Sequence, residues 1–256
     1  MKVVILAGGL GTRLREETEY KPKPMVEIGG RPIIWHIMKT YAHYGFEDFV
    51  ICLGYKGDMI RDYFLNYKTR QCDFTVHLGA GAVEVYGGHA EASWRVTLVE
   101  TGMSTATGGR IKRVGPYLGN SPFMVTYGDG VADIDLGRQL EFHRQRRLLG
   151  TVTGVRPASR YGELAANDGL VRIFQEKPQV HTGWINGGFL TLEPAVLDMI
   201  SGDDDSLESG LLPRLAREGQ LAMYEHCGFW QCMDTYREYT QLEEAWNRGA
   251  APWKVW

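Results

Sequence analysis

The chain has 256 residues, 44% of them apolar and 23% charged, with a net charge of −3. That length is enough to bury a sizeable core in one domain, and the slightly acidic balance argues against a general attraction to nucleic acid. The apolar start VVILA runs into Gly8–Gly9 and is too short for a signal peptide or a membrane span, and no later stretch reaches spanning length.

Residues 2–6 (KVVIL) read as a strand buried in a parallel sheet. Residues 32–44 (PIIWHIMKTYAHY) have helical spacing, with Pro32 in the first turn and Gly45 as the stop. A strand over 47–54 and a helix over 56–67 follow, and this alternation predicts an α/β fold with a mostly parallel sheet. Residues 68–100 break the rhythm: 73–79 and 94–100 look like strands around a Gly- and Ala-rich stretch, an excursion suited to a separate job such as subunit contact. Further on, the patterns predict a helix over 107–118, a strand over 122–130 and a helix over 135–148. Strands over 150–156, 170–178 and 184–194 come next, then a helix over 207–219 interrupted near Pro213. Residues 221–234 are strand-like and 235–249 form a closing helix. With no repeat or linker, one domain over 1–256 is expected. Cys52, Cys72, Cys227 and Cys232 have neither CxxC nor zinc spacing, which points to free thiols and to the cytoplasm.

The first strand leads into a glycine loop, LAGGLGTRL at 6–14. In open α/β sheets ligands sit beyond the carboxyl ends of the strands, and glycines let backbone N–H groups approach phosphate oxygens. A Walker loop is excluded because no Gly-Lys-Ser/Thr follows, and a dinucleotide fingerprint fails because Leu14 stands where its third glycine belongs. What remains is a glycine loop carrying Arg13, followed by KPKP. Each proline holds the preceding lysine in extended geometry, so Lys21 and Lys23 are presented on a stiff segment. The bland alternative is a solvated turn with surface lysines, and composition alone leaves both open.

Asp129 lies between Gly128 and Gly130 at the end of an apolar strand, where it suits either a turn or a magnesium ligand. Thr235 with Glu238 fits a capping box, which would release Asp234 for another use. Asp133 and Asp135 are read as caps of the helix near 135. Lys177 precedes Pro178 at a strand end, and Asn186 precedes two glycines that mark a bulge or the close approach of a ligand. His36 reads as core or interface, and no Ser-His-Asp or Cys-His arrangement suggests covalent catalysis.

Together these residues resemble the sugar-1-phosphate nucleotidylyltransferases: LAGGLGTRL, KPKPM at 21–25, GDG at 128–130, EKP at 176–178 and NGG at 186–188. GFWQCMDT (228–235) and APWKVW (251–256) look like the branch that uses CTP and glucose 1-phosphate, with UTP, dTTP or another hexose phosphate as rivals. The resemblance implies a Rossmann-like, mostly parallel mixed sheet flanked by helices, of the nucleotide-diphospho-sugar transferase type. It also implies in-line attack of the sugar phosphate on the α-phosphorus of the nucleotide, assisted by Mg²⁺, with release of pyrophosphate. Leu6, Ala7, Gly8, Gly9, Leu10, Gly11, Thr12, Arg13, Lys23, Thr105, Arg110 and Gly128 would contact the nucleotide, with Ser104 as the alternative to Thr105. Arg13, Lys23 and Asp129 would be catalytic. Glu176, Lys177, Asn186 and Gly187 would hold the sugar phosphate, and Asp129 with Asp234 the metal. A symmetric homo-oligomer, a hexamer among the options, is implied as well. The stretches 79–93, 156–163 and 203–212 depart from the family pattern, and the last two bear on sugar identity. A non-catalytic nucleotide-sugar binder would be expected to lose the Arg, Lys or Asp positions, and here they are all present.

Overall fold

The computed structural model describes residues 1–11, 18–157, 163–167, 170–175 and 183–256. Eight strands form the central sheet: β1 (Lys2–Leu6), β2 (Asp48–Leu53), β3 (Arg95–Glu100), β4 (Phe123–Tyr127), β5 (Gly150–Val155), β6 (Ile185–Asn186), β7 (Leu190–Leu192) and β8 (Leu221–His226). Their order is β6-β5-β7-β4-β1-β2-β3, with β8 also paired to β5. β1 is parallel to β2 and β4, β2 to β3, and β5 to β8. β7 runs antiparallel to β4 and β5, as does β6 to β5. The sheet is therefore mixed around a parallel centre, as the alternation of elements predicts.

Helices α1 (Ile33–His43), α2 (Gly57–Leu65), α3 (Thr107–Leu118), α4 (Leu136–Arg146) and α5 (Tyr236–Asn247) cover both faces. The period-2 geometry of β1 divides the core. Val3 and Ile5 pack with Ile34, Ile37 and Met38 of α1 and with Leu242 of α5. Val4 and Leu6 pack on the other face with Ile111, Val114 and Leu118 of α3 and with Leu207–Leu215. Each such side chain contributes about 1.5–3 kcal/mol on full burial. Leu6 is in register with Cys52 on one side and Tyr127 on the other, so the loops after β1, β2 and β4 leave the sheet at one rim.

Several elements differ from expectation for physical reasons. The strand expected over 184–194 is broken: β6 ends at Asn186, β7 begins at Leu190, and Gly188 and Phe189 between them have φ of 76° and 48°. The strand expected over 221–234 also splits. Its second part, Trp230–Cys232, leaves the main sheet and pairs with Gly130–Ala132. The helix expected over 56–67 is α2 followed by a separate turn, Tyr67–Gln71. The irregularity near Pro213 is a π-helical turn, Leu207–Leu211, and it precedes the proline. Pro213 itself sits in the first turn of Leu212–Arg217, where its missing N–H costs nothing. Asp135 caps α4 by accepting from the Arg138 N–H, whereas Asp133 is not a cap and pairs instead with His226 at 3.0 Å. The Gly- and Ala-rich part of the excursion supplies a strand, Ala82–Val85, that closes a hairpin with Phe74–His77. Leu170–Gln175 forms within the strand expected over 170–178, and it pairs with Glu163–Asn167, which the sequence patterns do not announce.

His36 is fully buried in α1, as expected. Its Nε2–H donates to the Ile28 carbonyl at 2.9 Å, and its Nδ1 accepts from the Trp253 indole at 3.3 Å. Burial pulls its pKa down to about 4, against a partial pull upward from that backbone bond.

Candidate active site

The glycine loop after β1 is anchored by backbone bonds. The Ala7 N–H donates to the Cys52 carbonyl at 3.1 Å, and the Gly8 carbonyl accepts from the Tyr55 N–H at 3.2 Å. Gly11 has φ of 63°, a conformation that glycine adopts without penalty. Behind the loop lies the buried guanidinium of Arg110, from α3. It donates to the carbonyls of Leu53 at 2.9 Å and Gly8 at 3.1 Å and to the Thr101 hydroxyl at 2.7 Å. No carboxylate among the described residues pairs with it. Burial lowers its pKa, but arginine stays charged, so a fixed positive charge stands under the loop. A Cβ at Gly8 would lie 2.0 Å from the Arg110 Nη1, so a larger residue there would push the guanidinium off its carbonyls.

This loop floors a cavity of about 480 Å³. Leu6 through Gly11, Lys23, Thr105, Arg110, Gly128 and Asp129 all line it, as does Ser104. The predicted nucleotide contacts thus meet in one place, apart from Thr12 and Arg13, which lie outside the described residues. Glu176 and Lys177 lie outside them too. Of the two hydroxyl candidates Thr105 is buried and Ser104 exposed, and both border the cavity.

Lys23 opens a short 3₁₀ turn, Lys23–Met25, with Pro22 extended before it (φ −67°, ψ 148°). The segment is not a solvated surface turn: Lys23 is buried. Its ammonium donates to Asp129 Oδ2 at 2.6 Å and to Asp234 Oδ1 at 2.5 Å. Burial alone would lower the lysine pKa, but Asp129 and Asp234 outweigh it, and the net shift is upward.

Two local devices bring the acids together. The ladder between Trp230–Cys232 and Gly130–Ala132 carries the chain beside Asp129, and the Met233 N–H donates to the Asp129 carbonyl at 2.8 Å. The predicted capping box then forms at α5. Glu238 accepts from the N–H groups of Thr235 and Asp234 at 2.8 and 2.9 Å, and Thr235 accepts from the Glu238 N–H at 3.3 Å. Capping therefore does not consume the Asp234 carboxylate, which turns toward Lys23.

The pair suits a divalent cation. Two carboxylate oxygens already converge on one ammonium, so they are close enough to share a positive centre. Magnesium binds through one or two carboxylates together with phosphate oxygens and waters. Among the described residues no cluster of three or more His, Cys, Asp or Glu side chains offers a dedicated metal cage.

A second cavity, of about 270 Å³, adjoins the first, and Tyr127 and Asp129 line both. Asn186, Gly187, Glu208, Trp230, Cys232 and Asp234 also border it. Asn186 spends its side-chain oxygen on its own turn, accepting from the Gly188 N–H at 2.9 Å. The Trp230 indole donates to the Gly187 carbonyl at 2.7 Å. Glu208 accepts from the Tyr127 hydroxyl at 2.5 Å and from the Thr107 hydroxyl at 2.6 Å. Burial works against its ionisation, yet these bonds prevail and hold its carboxyl below the usual range. Burial, then Asp234, pushes the Cys232 thiol up to about 12, so it is neutral and no nucleophile.

Sequence reasoning did not assign Tyr127, Glu208, Trp230 or Cys232 to the site. Tyr127 immediately precedes the GDG motif, and Trp230 and Cys232 stand inside the quoted GFWQCMDT segment, so proximity to a motif was their only signal. Glu208 lies in the stretch that departs from the family pattern and had none.

The model of the nucleotidyl transferase family matches residues 2–235. The chain belongs to that family. It is 51% identical to the glucose-1-phosphate cytidylyltransferase of Salmonella typhimurium (strain LT2) over 100% of both chains. It is 43% identical to a probable glucose-1-phosphate cytidylyltransferase of Bacillus subtilis (strain 168), again over 100% of both. Among solved structures, that of HddC from Yersinia pseudotuberculosis complexed with GMP-PN is similar, with a TM-score of 0.71 and 26% identity over 96% of this chain and 99% of that one. No helix of the described residues is long and apolar enough to cross a membrane.

Proposed function

We propose that this nucleotidyl transferase moves the cytidylyl group of CTP onto α-D-glucose 1-phosphate, giving CDP-glucose and pyrophosphate. The full-length 51% identity to a glucose-1-phosphate cytidylyltransferase carries this reading. The chemistry of the site agrees with it. A sugar phosphate is ionised at neutral pH, so no general base is required, and the described residues of the site offer no His- or Cys-centred nucleophile.

The obstacle is bringing two anions together: unit charges 4 Å apart repel by about 4 kcal/mol at an effective dielectric near 20. Backbone N–H groups of residues 7–11, with Arg13, hold the triphosphate over the Arg110 charge. Lys23, kept protonated by its two carboxylates, faces the same cavity and offsets charge building at the α-phosphate. Lys177 holds the sugar phosphate, and Asn186 and Gly187 hold the hexose. Asp129 and Asp234 are the residues that would hold Mg²⁺, which when bound orients the phosphates and acts as a Lewis acid. Positioning of the two substrates supplies up to roughly 7–11 kcal/mol of barrier lowering.

The excursion favours a symmetric homo-oligomer. The hairpin Phe74–His77/Ala82–Val85 exposes Phe74, Val76, Leu78 and Val83, and an isolated two-stranded hairpin is marginal in water without a covering partner. Light scattering tests this, and a clean monomer removes it. The cytoplasm is the compartment we propose, supported by four cysteines that form no disulfide.

A panel of CTP, UTP, dTTP and GTP against several hexose 1-phosphates, with Mg²⁺ or EDTA, tests the reaction through pyrophosphate release. Turnover is expected with CTP and glucose 1-phosphate in Mg²⁺. Preference for another pair reassigns the substrates, and silence with every pair sinks the proposal.

A further inference from the structure

We propose that Gln139, a fully buried amide on α4, is a positioning residue for the sugar-phosphate pocket: it locks the Gly187–Phe189 turn that presents Asn186. The inference rests on the reading that the smaller cavity takes the sugar 1-phosphate.

Gln139 is 0% exposed, on the same helix as the core residues Leu136 and Leu140. An aliphatic side chain would fill that place more cheaply, since burying an amide is unfavourable unless its hydrogen bonds are met. Here they are met, and all lead toward one turn. The Nε2 group donates to the Thr153 hydroxyl at 3.1 Å and to the Phe189 carbonyl. The Oε1 accepts from the Thr191 hydroxyl at 3.1 Å, which fixes the sense of the amide.

The turn needs such a hold. Phe189 has φ of 48°, an unfavourable conformation for a bulky side chain that persists only where the surroundings over-determine it. Its carbonyl receives a second donor, the Thr153 hydroxyl, at 2.9 Å. Its ring stacks on Tyr41 with centroids 6.0 Å apart. The Thr153 carbonyl accepts from the Gly187 N–H at 2.9 Å. Gln139 and Thr153 thus hold the turn from behind, while Asn186, Gly187 and Phe189 line the cavity in front. A buried polar network of this kind, fully satisfied, specifies one geometry.

The test is Gln139→Met, which keeps the volume and removes both donors, assayed with CTP and sugar 1-phosphate varied separately. Any pair that the wild type turns over will serve, and a wild type inactive with every pair refutes the functional reading rather than this one. With the turn released, the KM for the sugar phosphate is expected to rise by about tenfold or more while the KM for CTP stays within about twofold. A role confined to core packing would lower the melting temperature without that split. Equal changes in both KM values, or none, overturn the proposal. Thr191→Val removes only the donor to Oε1 and should give a smaller split in the same direction. If Gln139→Met does not fold, Thr191→Val decides by the same criterion, and an unsplit result there refutes the assignment.

Discussion

Lys23→Met separates the electrostatics of the site from its catalysis. In the wild type one ammonium lies 2.6 Å from Asp129 and 2.5 Å from Asp234. Both carboxylate oxygens touch a single nitrogen, which leaves them no more than about 5 Å apart, and at that separation two unit charges repel by about 3 kcal/mol at an effective dielectric near 20. Asp129 is partly open to water, with 28% of its side chain exposed, so screening trims the figure. For a chain of this size each kcal/mol is worth about 2–4 °C in melting temperature, so the variant should melt about 5–10 °C lower in EDTA. Millimolar Mg²⁺ should restore most of that loss, because a cation again stands between the acids. It should move the nucleotide-free wild type less, because Lys23 already neutralises them. Calorimetry at fixed ionic strength measures both effects, with pyrophosphate release followed in parallel. A variant that melts with the wild type in EDTA and responds no more strongly to magnesium would refute the reasoning.

Gly8→Ala should raise the KM for CTP by about tenfold or more, because its Cβ would displace the Arg110 guanidinium from the carbonyls that shape the loop. Steady-state kinetics with CTP varied checks this. His36 makes stability depend on pH. The unfolded chain binds its proton near 6.5 and the folded chain near 4, so stability is lost as pH falls between those values, by about 3 kcal/mol in full. Urea melts at about pH 7 and pH 4.5 should show this loss, and His36→Gln should show a shallower dependence. Thr235→Ala removes one half of the capping box and should cost about 1 kcal/mol in the same melts.

Much of the fold was legible because it is written locally. The continuous apolar run of β1, the helix over 107–118 and the Thr235–Glu238 box depend on neighbours within a few residues, and each formed as read. The broken strand at 184–194 was legible only in part. Asn186-Gly187-Gly188 marked a weak point, but nothing nearby announces that Phe189 will take a positive φ. That conformation is held by α4 and Thr153, from other parts of the chain. Asp133 was misread because capping propensity is a local signal, whereas its partner His226 arrives from a distant strand.

By itself the sequence determined the family signature, the glycine loop and most of the helices and strands, since backbone conformation answers first to short-range sterics and hydrophobic period. Only the tertiary structure decided what Lys23 does. Its partners lie 106 and 211 residues away, and no pattern along a chain encodes a distance across a sheet rim. The ladder at Trp230–Cys232 and the capping of α5 close that gap, and their joint effect is to set two acids around one buried ammonium.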